Sequence, residues 1–214
     1  MIRLEALNLS VRRGEDLLID GLSFSLDAGE AMVVTGRNGS GKSTLLRAMA
    51  GLLPVESGEV ILKIANQRVP RAAEAYHYLG HRNAMKREMS VHENLAFWKA
   101  FMGDHPGGAG LDPDEAAERL GLGAITHLPF GYLSAGQQRR MAMAKLLVSW
   151  RPAWLLDEPT AALDAHSEML FAGMVEEHLG KGGLAIAATH QPLGLAHPKS
   201  LVMSGFNPTA ERLF

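Results

Sequence analysis

The sequence predicts an α/β fold in which a helical insertion interrupts a core of strands and helices. An apolar run at residues 31–34 is typical of a buried strand, and residues 44–50, behind a glycine-rich loop, have helical composition. From about residue 85 the pattern becomes helical. Strand composition then returns at residues 153–156 and again at residues 184–188. Strand, helix and resumed strand together indicate an α/β core.

The length of the chain suits one such unit, since 214 residues can bury a sizeable core. We expect a single domain over residues 1–214, with the core at 1–84 and 151–214 and a helical subdomain at 85–150. Alternating or apolar composition predicts further strands at residues 2–11, 22–26, 59–62 and 76–79.

The helices carry recognisable start signals. Ser90 with Glu93 three residues later forms a predicted capping box, and Asp112 followed by Pro113 predicts a second helix start. Two more helices are expected over residues 136–149 and 165–179. The helix that begins after Ser90 carries an apolar stripe of Leu95, Phe97, Trp98 and Phe101. We expect most of this stripe to pack inside the helical part.

Composition excludes several classes of protein. A net charge of −2 and an isoelectric point near 6.5 offer no electrostatic footprint for nucleic acid. The chain contains no cysteine, so disulfides and thiolate metal sites are excluded. The charges of Arg3 and Glu5 argue against a secretory leader, and no apolar run reaches the length of a membrane span. Any membrane role would therefore require a partner.

The glycine-rich loop fits the pattern G-x-x-x-x-G-K-[ST] without a mismatch. Its residues are Gly36, Arg37, Asn38, Gly39, Ser40, Gly41, Lys42, Ser43 and Thr44. Glycines let successive N–H groups turn inward, and the following helix N-terminus adds a positive dipole end, so the loop is a phosphate cradle. Lys42 is expected to reach the β- and γ-phosphates, and Ser43 to ligate Mg²⁺. The alternative is an ordinary glycine turn, which the flanking strand and helix disfavour.

Two carboxylates follow the strand at residues 153–156. Asp157 at the tip of a buried strand can bind Mg²⁺, partly through water, and Glu158 can take a proton from an attacking water or orient it. An acidic turn at a strand end is common, so this pair gains meaning only from the phosphate loop upstream.

Two further segments are candidates for phosphate contact. Ser134, Gly136 and Gln137 precede a helix and indicate a second anion site, although Ser134 also suits an ordinary N-cap. One nucleotide needs one cradle, so a second cradle suggests contact with another subunit. His190 follows a strand and is placed to contact a γ-phosphate oxygen or the attacking water. A surface turn histidine is the alternative, because the chain has nine histidines.

In order along the chain, these motifs resemble an ABC-type ATPase cassette. They are GRNGSGKS at 36–43, LSAGQ at 133–137, LLDEP at 155–159, Leu163-Asp164 and His190. The resemblance implies a P-loop NTPase fold with a RecA-like core, an N-terminal antiparallel β subdomain and an inserted helical subdomain. It also implies hydrolysis of ATP to ADP and phosphate with Mg²⁺.

The resemblance also assigns roles to individual residues. Residues 36–44 would be Walker A, 133–137 the signature, Asp157 Walker B and Glu158 the catalytic glutamate, with the D-loop at 162–164 and His190 as switch histidine. In that family the nucleotide lies between the Walker A loop of one cassette and the signature of a second copy. The second cradle then belongs to an ATP sandwich dimer.

Two positions depart from the family pattern. His81 stands where a glutamine usually senses Mg²⁺, and imidazole is a poorer Mg²⁺ ligand than a carbonyl oxygen. The aromatic residue that usually stacks on adenine is absent, and Arg13 lies in that region. Its guanidinium is either a stacking group or an ordinary solvated side chain.

A narrower resemblance is to the ATPase subunits of bacterial cytochrome c maturation systems. It is carried by residues 78–81, 93–98 and 133–140. It implies ATP hydrolysis coupled to haem export or to release of a haem-loaded chaperone, integral membrane subunits as partners, and a peripheral place on the cytoplasmic face of the inner membrane. A short helix of the membrane subunit would enter a cleft near residues 81–88, lined by Met85, Met89 and Trp98.

Three rival functions remain at this point. An ABC ATPase for another transported solute is compatible with the same motifs. A P-loop kinase is disfavoured by the LSAGQ segment and the helical insertion. A soluble ABC ATPase of DNA repair or iron–sulfur assembly is disfavoured because the sequence has no coiled-coil arms, zinc-binding cysteines or basic face.

Overall fold

The computed structural model of the chain describes residues 1–161 and 163–204. The strands of this part are β1 Ile2–Arg13, β2 Asp16–Asp27, β3 Ala31–Thr35, β4 Ser57–Ile64, β5 Gln67–Arg68, β6 Tyr76–Leu79, β7 Ala153–Asp157, β8 Leu184–Ala188 and β9 Lys199–Val202. The α-helices are α1 Lys42–Met49, α2 Val91–Met102, α3 Pro113–Arg119, α4 Ala135–Leu147 and α5 Ala165–Gly180.

A four-stranded antiparallel sheet forms the N-terminal part, in the order β2-β1-β4-β5. Leu4 of β1 lies opposite Leu26 on one side and Leu62 on the other, and all three side chains are fully buried. Both β1 and β2 are longer than predicted, because each supplies the other's hydrogen-bond partners in a hairpin of two twelve-residue strands. Local composition did not indicate that extension.

A five-stranded parallel sheet carries the site, in the order β6-β7-β8-β3-β9. Val34 of β3 and Asp157 of β7 both lie opposite Ala188 of β8, and Leu79 of β6 lies opposite Leu156 of β7. Since these strands are parallel and in register, their carboxyl ends lie at one edge of the sheet. The segments that follow β3, β6, β7 and β8 therefore meet there.

Each face of the parallel sheet has its own hydrophobic core. Leu155 and Ile186 face α1 and the antiparallel sheet, whereas their neighbours Leu156 and Ala187 face the helical side with α4 and α5. All four side chains are at most 3% exposed. Burying an aliphatic side chain of leucine or isoleucine size contributes roughly 1.5–3 kcal/mol. The two cores thus hold the strand ends, and the site between them, in place.

The helical part follows β6 and precedes β7. Ser90 and Glu93 form the predicted capping box, and Asp112 accepts the N–H of Asp114, as its N-cap role predicts. Helix α4 begins at Ala135, one residue earlier than predicted, and ends at Leu147, two residues earlier than predicted. The division of the chain at residues 84/85 and 150/151 stays a prediction.

The apolar stripe of α2 is split between interior and solvent. Leu95 is fully buried, and Trp98 packs partly against the core while its Nε1 donates to the carbonyl of Ala84 at 3.0 Å. Phe97 and Phe101, however, are 40% and 70% exposed. The expectation that most of the stripe packs inside is therefore wrong, because the two phenylalanines turn away from α3 and α4.

Strands β5 and β9 were not predicted. Both are short and largely exposed edge strands, held by hydrogen bonds to β4 and β3 rather than by an apolar pattern of their own. None of the helices in the described part of the chain combines the length and hydropathy that a bilayer crossing requires.

Candidate functional site

The glycine-rich loop connects β3 to α1 and has a conformation that only glycine accommodates at its first position. Gly36 has φ +144°, and an added Cβ would lie 2.4 Å from the carbonyl oxygen of Met203. Gly41, with φ +96°, is the N-cap of α1 and leaves the first turn without a side-chain cap. The N–H groups of that turn are therefore available to an anion.

Lys42 lies at the centre of this loop and is 7% exposed. Its Nζ donates to the carbonyls of Gly36 at 2.8 Å and Arg37 at 3.3 Å, and it lies 2.9 Å from Nε2 of His190. An ammonium has only donors, so His190 accepts through Nε2 and its proton is on Nδ1. The glycine-rich loop, through its lysine, and the strand-end histidine thus meet in one place.

Asp157 is the most buried acidic group of the site, with 1% of its side chain exposed. Oδ1 accepts from the Ser43 hydroxyl at 2.7 Å, and Oδ2 accepts from the Tyr78 hydroxyl at 3.2 Å. Arg47 Nε in turn donates to the Tyr78 oxygen at 3.3 Å. Burial raises the pKa of Tyr78, so the phenol stays a proton donor to the carboxylate.

These groups suit Mg²⁺ by their chemistry. A carboxylate and a hydroxyl, completed by phosphate oxygens and water, are the oxygen ligands that this ion takes in nucleotide sites. Across residues 1–161 and 163–204 no cluster of three or more His, Asp or Glu side chains could hold a metal without such help. His81 lies beside this carboxylate, with Nε2 3.8 Å from Asp157 Oδ2. Its side chain is 57% exposed.

Glu158 adopts a backbone conformation that non-glycine residues rarely take, with φ +46°. Its N–H donates to the carbonyl of Ala188 at 2.8 Å, which ties the end of β7 to the end of β8. Its Oε1 lies 3.6 Å from His190 Nε2. Because that nitrogen accepts from Lys42, the approach is neither a hydrogen bond nor an ion pair.

An open pocket of about 380 Å³ lies beside these residues, and its size suits a nucleotide. It is lined by Arg13, Leu18, Asn38, Gly39, Gly41, Lys42, Ser43, Thr44, His81, Glu158 and His190. Arg13, at the tip of the β1–β2 hairpin, therefore lies on the pocket wall.

The signature segment lies outside this pocket. Ser134 is the N-cap of α4, accepting the N–H of Gln137 at 3.3 Å, and Gln137 Oε1 accepts the N–H of Ser134 at 2.9 Å. Ser134 is exposed, and Gly136 has nothing within 4 Å of an added Cβ. The structure therefore shows the capping role of Ser134 and leaves this face open to solvent.

The D-loop falls at the edge of the described residues. Ala162 lies outside them. Leu163 packs partly against the helical-side core, and Asp164 is the N-cap of α5, accepting the N–H of Ser167 at 2.8 Å. Hydrogen bonding to the side chain of Ser167, and then to its backbone N–H, lowers the pKa of Asp164.

Two side chains in contact with the site were not singled out from the sequence. Tyr78 reaches Asp157 because β6 and β7 are neighbours in the sheet, and Arg139 of α4 donates to the carbonyl of Glu158 at 2.7 Å. Tyr78 and Arg139 lie in the segments 78–81 and 133–140, which carry the narrower family resemblance, but neither side chain was given a role in the site. Periodicity could not identify them, since the order of parallel strands is not apparent from chain order.

Comparison with known proteins agrees with the motifs. The ABC transporter family profile matches residues 19–161. The chain is 63% identical over 205 residues to "Cytochrome c biogenesis ATP-binding export protein CcmA" of Rhizobium meliloti, covering 96% of this chain and 99% of that protein. It is 63% identical to the protein of the same name from Agrobacterium fabrum, covering 95% and 96%. The equally named Brucella abortus protein is 56% identical, covering 91% and 88%.

Among solved structures, a putative ABC transporter ATP-binding protein from Pyrococcus furiosus superimposes with a TM-score of 0.78. It covers 94% of this chain and 97% of its own, at 22% sequence identity, so it supports the fold alone. The family match and the near full-length relatives carry the assignment. This chain therefore belongs to the ABC transporter family, within its CcmA group of ATP-binding cassettes.

Proposed function

We propose that the chain is the ATP-hydrolysing subunit of a membrane ABC complex for cytochrome c biogenesis, coupling hydrolysis to haem export or to release of a haem-loaded chaperone. The observation that carries the proposal is the convergence of Lys42, Ser43, Asp157, Glu158 and His190 around one pocket in a chain 63% identical to proteins named for that role.

The glycine-rich loop would bind the phosphates. Residues 36–44 present backbone N–H groups, and Lys42 would exchange its present partners, two backbone carbonyls and Nε2 of His190, for phosphate oxygens, because an ammonium is bound more strongly by an anionic oxygen than by a neutral acceptor. That exchange frees Nε2 of His190, which is then available to a γ-phosphate oxygen. The binding step thus reorganises the side chains that the chemistry needs.

Ser43 and Asp157 would hold Mg²⁺, which when bound neutralises charge on the phosphate oxygens. Tyr78 keeps the Asp157 carboxylate oriented through its second oxygen. His81 stands on the same side and is proposed at most as a water-mediated contact.

Glu158 would orient the attacking water and accept its proton. The carboxylate lines the pocket, and the backbone on either side of it is hydrogen-bonded to α4 and β8. A base fixed in this way loses little freedom as the water attacks. The products are ADP and phosphate.

A second copy would complete the site. Ser134 is exposed and Gly136 and Gln137 are half-buried at the start of α4, where they can meet the γ-phosphate held by another cassette in an ATP sandwich with two-fold symmetry. Integral membrane subunits would hold the chain at the cytoplasmic face of the inner membrane. Their short helix would enter the cleft near residues 81–88, beside Met85, Met89 and Trp98.

The function is tested in the host by replacing the gene with a copy that carries Lys42→Ala. The expected strain lacks covalent c-type cytochromes and keeps b-type cytochromes. Normal c-type cytochromes together with failed uptake or efflux of another solute would refute the cytochrome c role and favour an ABC transporter for that solute. ATP hydrolysis by the purified chain is measured separately as release of free phosphate, since a phosphorylated acceptor would indicate a kinase.

A further inference from the structure

Arg139 carries a guanidinium that is almost completely buried, 6% exposed, on the fifth residue of α4. Within residues 1–161 and 163–204 it forms no ion pair, and the charge of Asp157 acts on it only from a longer distance. Burying such a group is costly unless its donors are satisfied by other means. Something other than charge pairing therefore accounts for its place.

Backbone carbonyls of two loops satisfy it. Nε donates to Pro159 O at 3.0 Å, Nη1 to Gly80 O at 2.8 Å, and Nη2 to Glu158 O at 2.7 Å, with longer contacts of 3.5 Å from Nη1 to Asn83 Oδ1 and from Nη2 to Asp157 O. One planar group thus joins α4, the segment after β6 that contains His81, and the segment after β7.

The segment after β7 is the one whose conformation needs support. Glu158 has φ +46°, and a left-handed conformation is strained for a residue other than glycine. Its N–H donates to Ala188, and its carbonyl accepts the shortest of the Arg139 bonds. The peptide groups on both sides of the Glu158 side chain are therefore held, one by β8 and one by Arg139.

Helix α4 also begins at the signature segment. Ser134 is its N-cap, five residues before Arg139, so both belong to one rigid element. A displacement of Ser134 along or about the axis of α4 displaces the guanidinium, and with it the carbonyl of Glu158.

We propose that Arg139 is a positioning residue that holds the Glu158 carboxylate in its reactive place and links that place to the position of the signature segment. The proposal rests on the proposed ATP hydrolysis. Arg139 touches neither the pocket nor the phosphates, so its effect falls on turnover and leaves nucleotide binding largely unchanged.

The test compares Arg139→Gln and Arg139→Lys with Arg140→Gln in the purified full chain. Arg140 is the next residue of the same helix and donates to Leu120 O at 2.9 Å, away from Glu158, so it controls for loss of an arginine from α4. Steady-state ATP hydrolysis gives kcat and KM, and thermal unfolding reports the fold of each variant.

For Arg139→Gln we expect kcat to fall roughly tenfold to a hundredfold with KM changed by less than about threefold. Arg139→Lys should recover only part of the rate, because a lysine ammonium cannot span both loops as the planar fork does. Arg140→Gln should keep kcat within about twofold of the unchanged chain.

Three results would overturn the inference: Arg139→Gln with an unchanged kcat, a raised KM at unchanged kcat, or an equal loss in Arg140→Gln. Should Arg139→Gln fail to fold, Arg139→Lys decides, since full kcat refutes the role and a lowered kcat at unchanged KM supports it. An unchanged chain that hydrolyses no ATP refutes the proposed function itself, and this inference with it.

Discussion

The two phosphate-facing segments of this molecule are built in opposite ways. The loop at 36–44 lies between the carboxyl ends of parallel strands, and its Lys42 and Ser43 already contact His190 and Asp157 from distant parts of the chain. In the described part of the chain, the side chains of the segment at 134–137 form hydrogen bonds only within that segment, as a helix cap, and Ser134 faces solvent. The difference teaches that one chain by itself brings together Lys42, Ser43, Asp157 and His190, while the segment at 134–137 stays outside that cluster, as the proposed contact with a second copy requires.

The largest expected effect tests the half that the chain assembles. Glu158→Gln keeps the shape of the side chain but removes the base, so turnover should fall roughly a hundredfold or more while MgATP still binds. Phosphate release by the purified variant is the measurement. Glu118→Gln, an exposed carboxylate on α3, is the matched control and should keep its rate. Near-normal phosphate release in Glu158→Gln would remove that residue from the role.

The next effect tests the outward half. Ser134→Arg introduces a charge into the expected interface, and an unpaired buried charge costs about 3 kcal/mol or more, roughly a hundredfold in dimer affinity. In a Glu158→Gln background, sedimentation with MgATP should show a dimer, and adding Ser134→Arg should leave monomers that still bind nucleotide.

A control separates this effect from the loss of a helix cap. Ser90→Ala removes the equivalent cap of α2, at about 1 kcal/mol of stability, and should leave the dimer intact. If the variant carrying both Glu158→Gln and Ser134→Arg stays dimeric, the contrast between the two halves is wrong.

A smaller effect sharpens the description of the assembled half. Tyr78→Phe removes the donor to Asp157 Oδ2 and should raise the Mg²⁺ concentration for half-maximal hydrolysis roughly tenfold, because the ligand loses an orienting partner. Tyr76→Phe on the same strand is the control. The buried Tyr76 hydroxyl has no hydrogen-bond partner among residues 1–161 and 163–204, and its removal should change little. Equal responses of the two variants would exclude an orienting role for Tyr78.

The smallest effect concerns the base of the nucleotide. With no aromatic at the usual place, ATP and GTP should bind within about threefold of each other, and Arg13→Ala should weaken both by a similar small factor. Arg12→Ala is the control. Arg12 is the neighbour of Arg13 on the same hairpin, but its Nε lies 3.3 Å from the Glu56 carboxylate. Competition binding that shows a strong preference for ATP would mean that Arg13 or another group recognises the adenine.

The amino-acid sequence determined the local units of this protein. The run at 31–34, the loop at 36–44 and the helix behind it are contiguous, and the caps at Ser90, Asp112 and Ser134 act within one turn of their helices. Strand β8, a short apolar run, and strand β6, a short run rich in aromatic residues, were predicted to the residue, because each has clear ends. Interactions of this range depend on neighbouring residues alone, and composition records them.

Only the tertiary structure decided which distant residues meet. Tyr78 contacts Asp157 because β6 lies beside β7, and Arg139 reaches Glu158 because α4 packs over the end of the same strand. The exposure of Phe97 and Phe101 and the pairing of β9 with β3 were equally invisible in composition. The physical reason is that parallel strands pair across long stretches of chain, so the neighbours of a side chain follow from the packing of whole elements and not from the residues beside it in sequence.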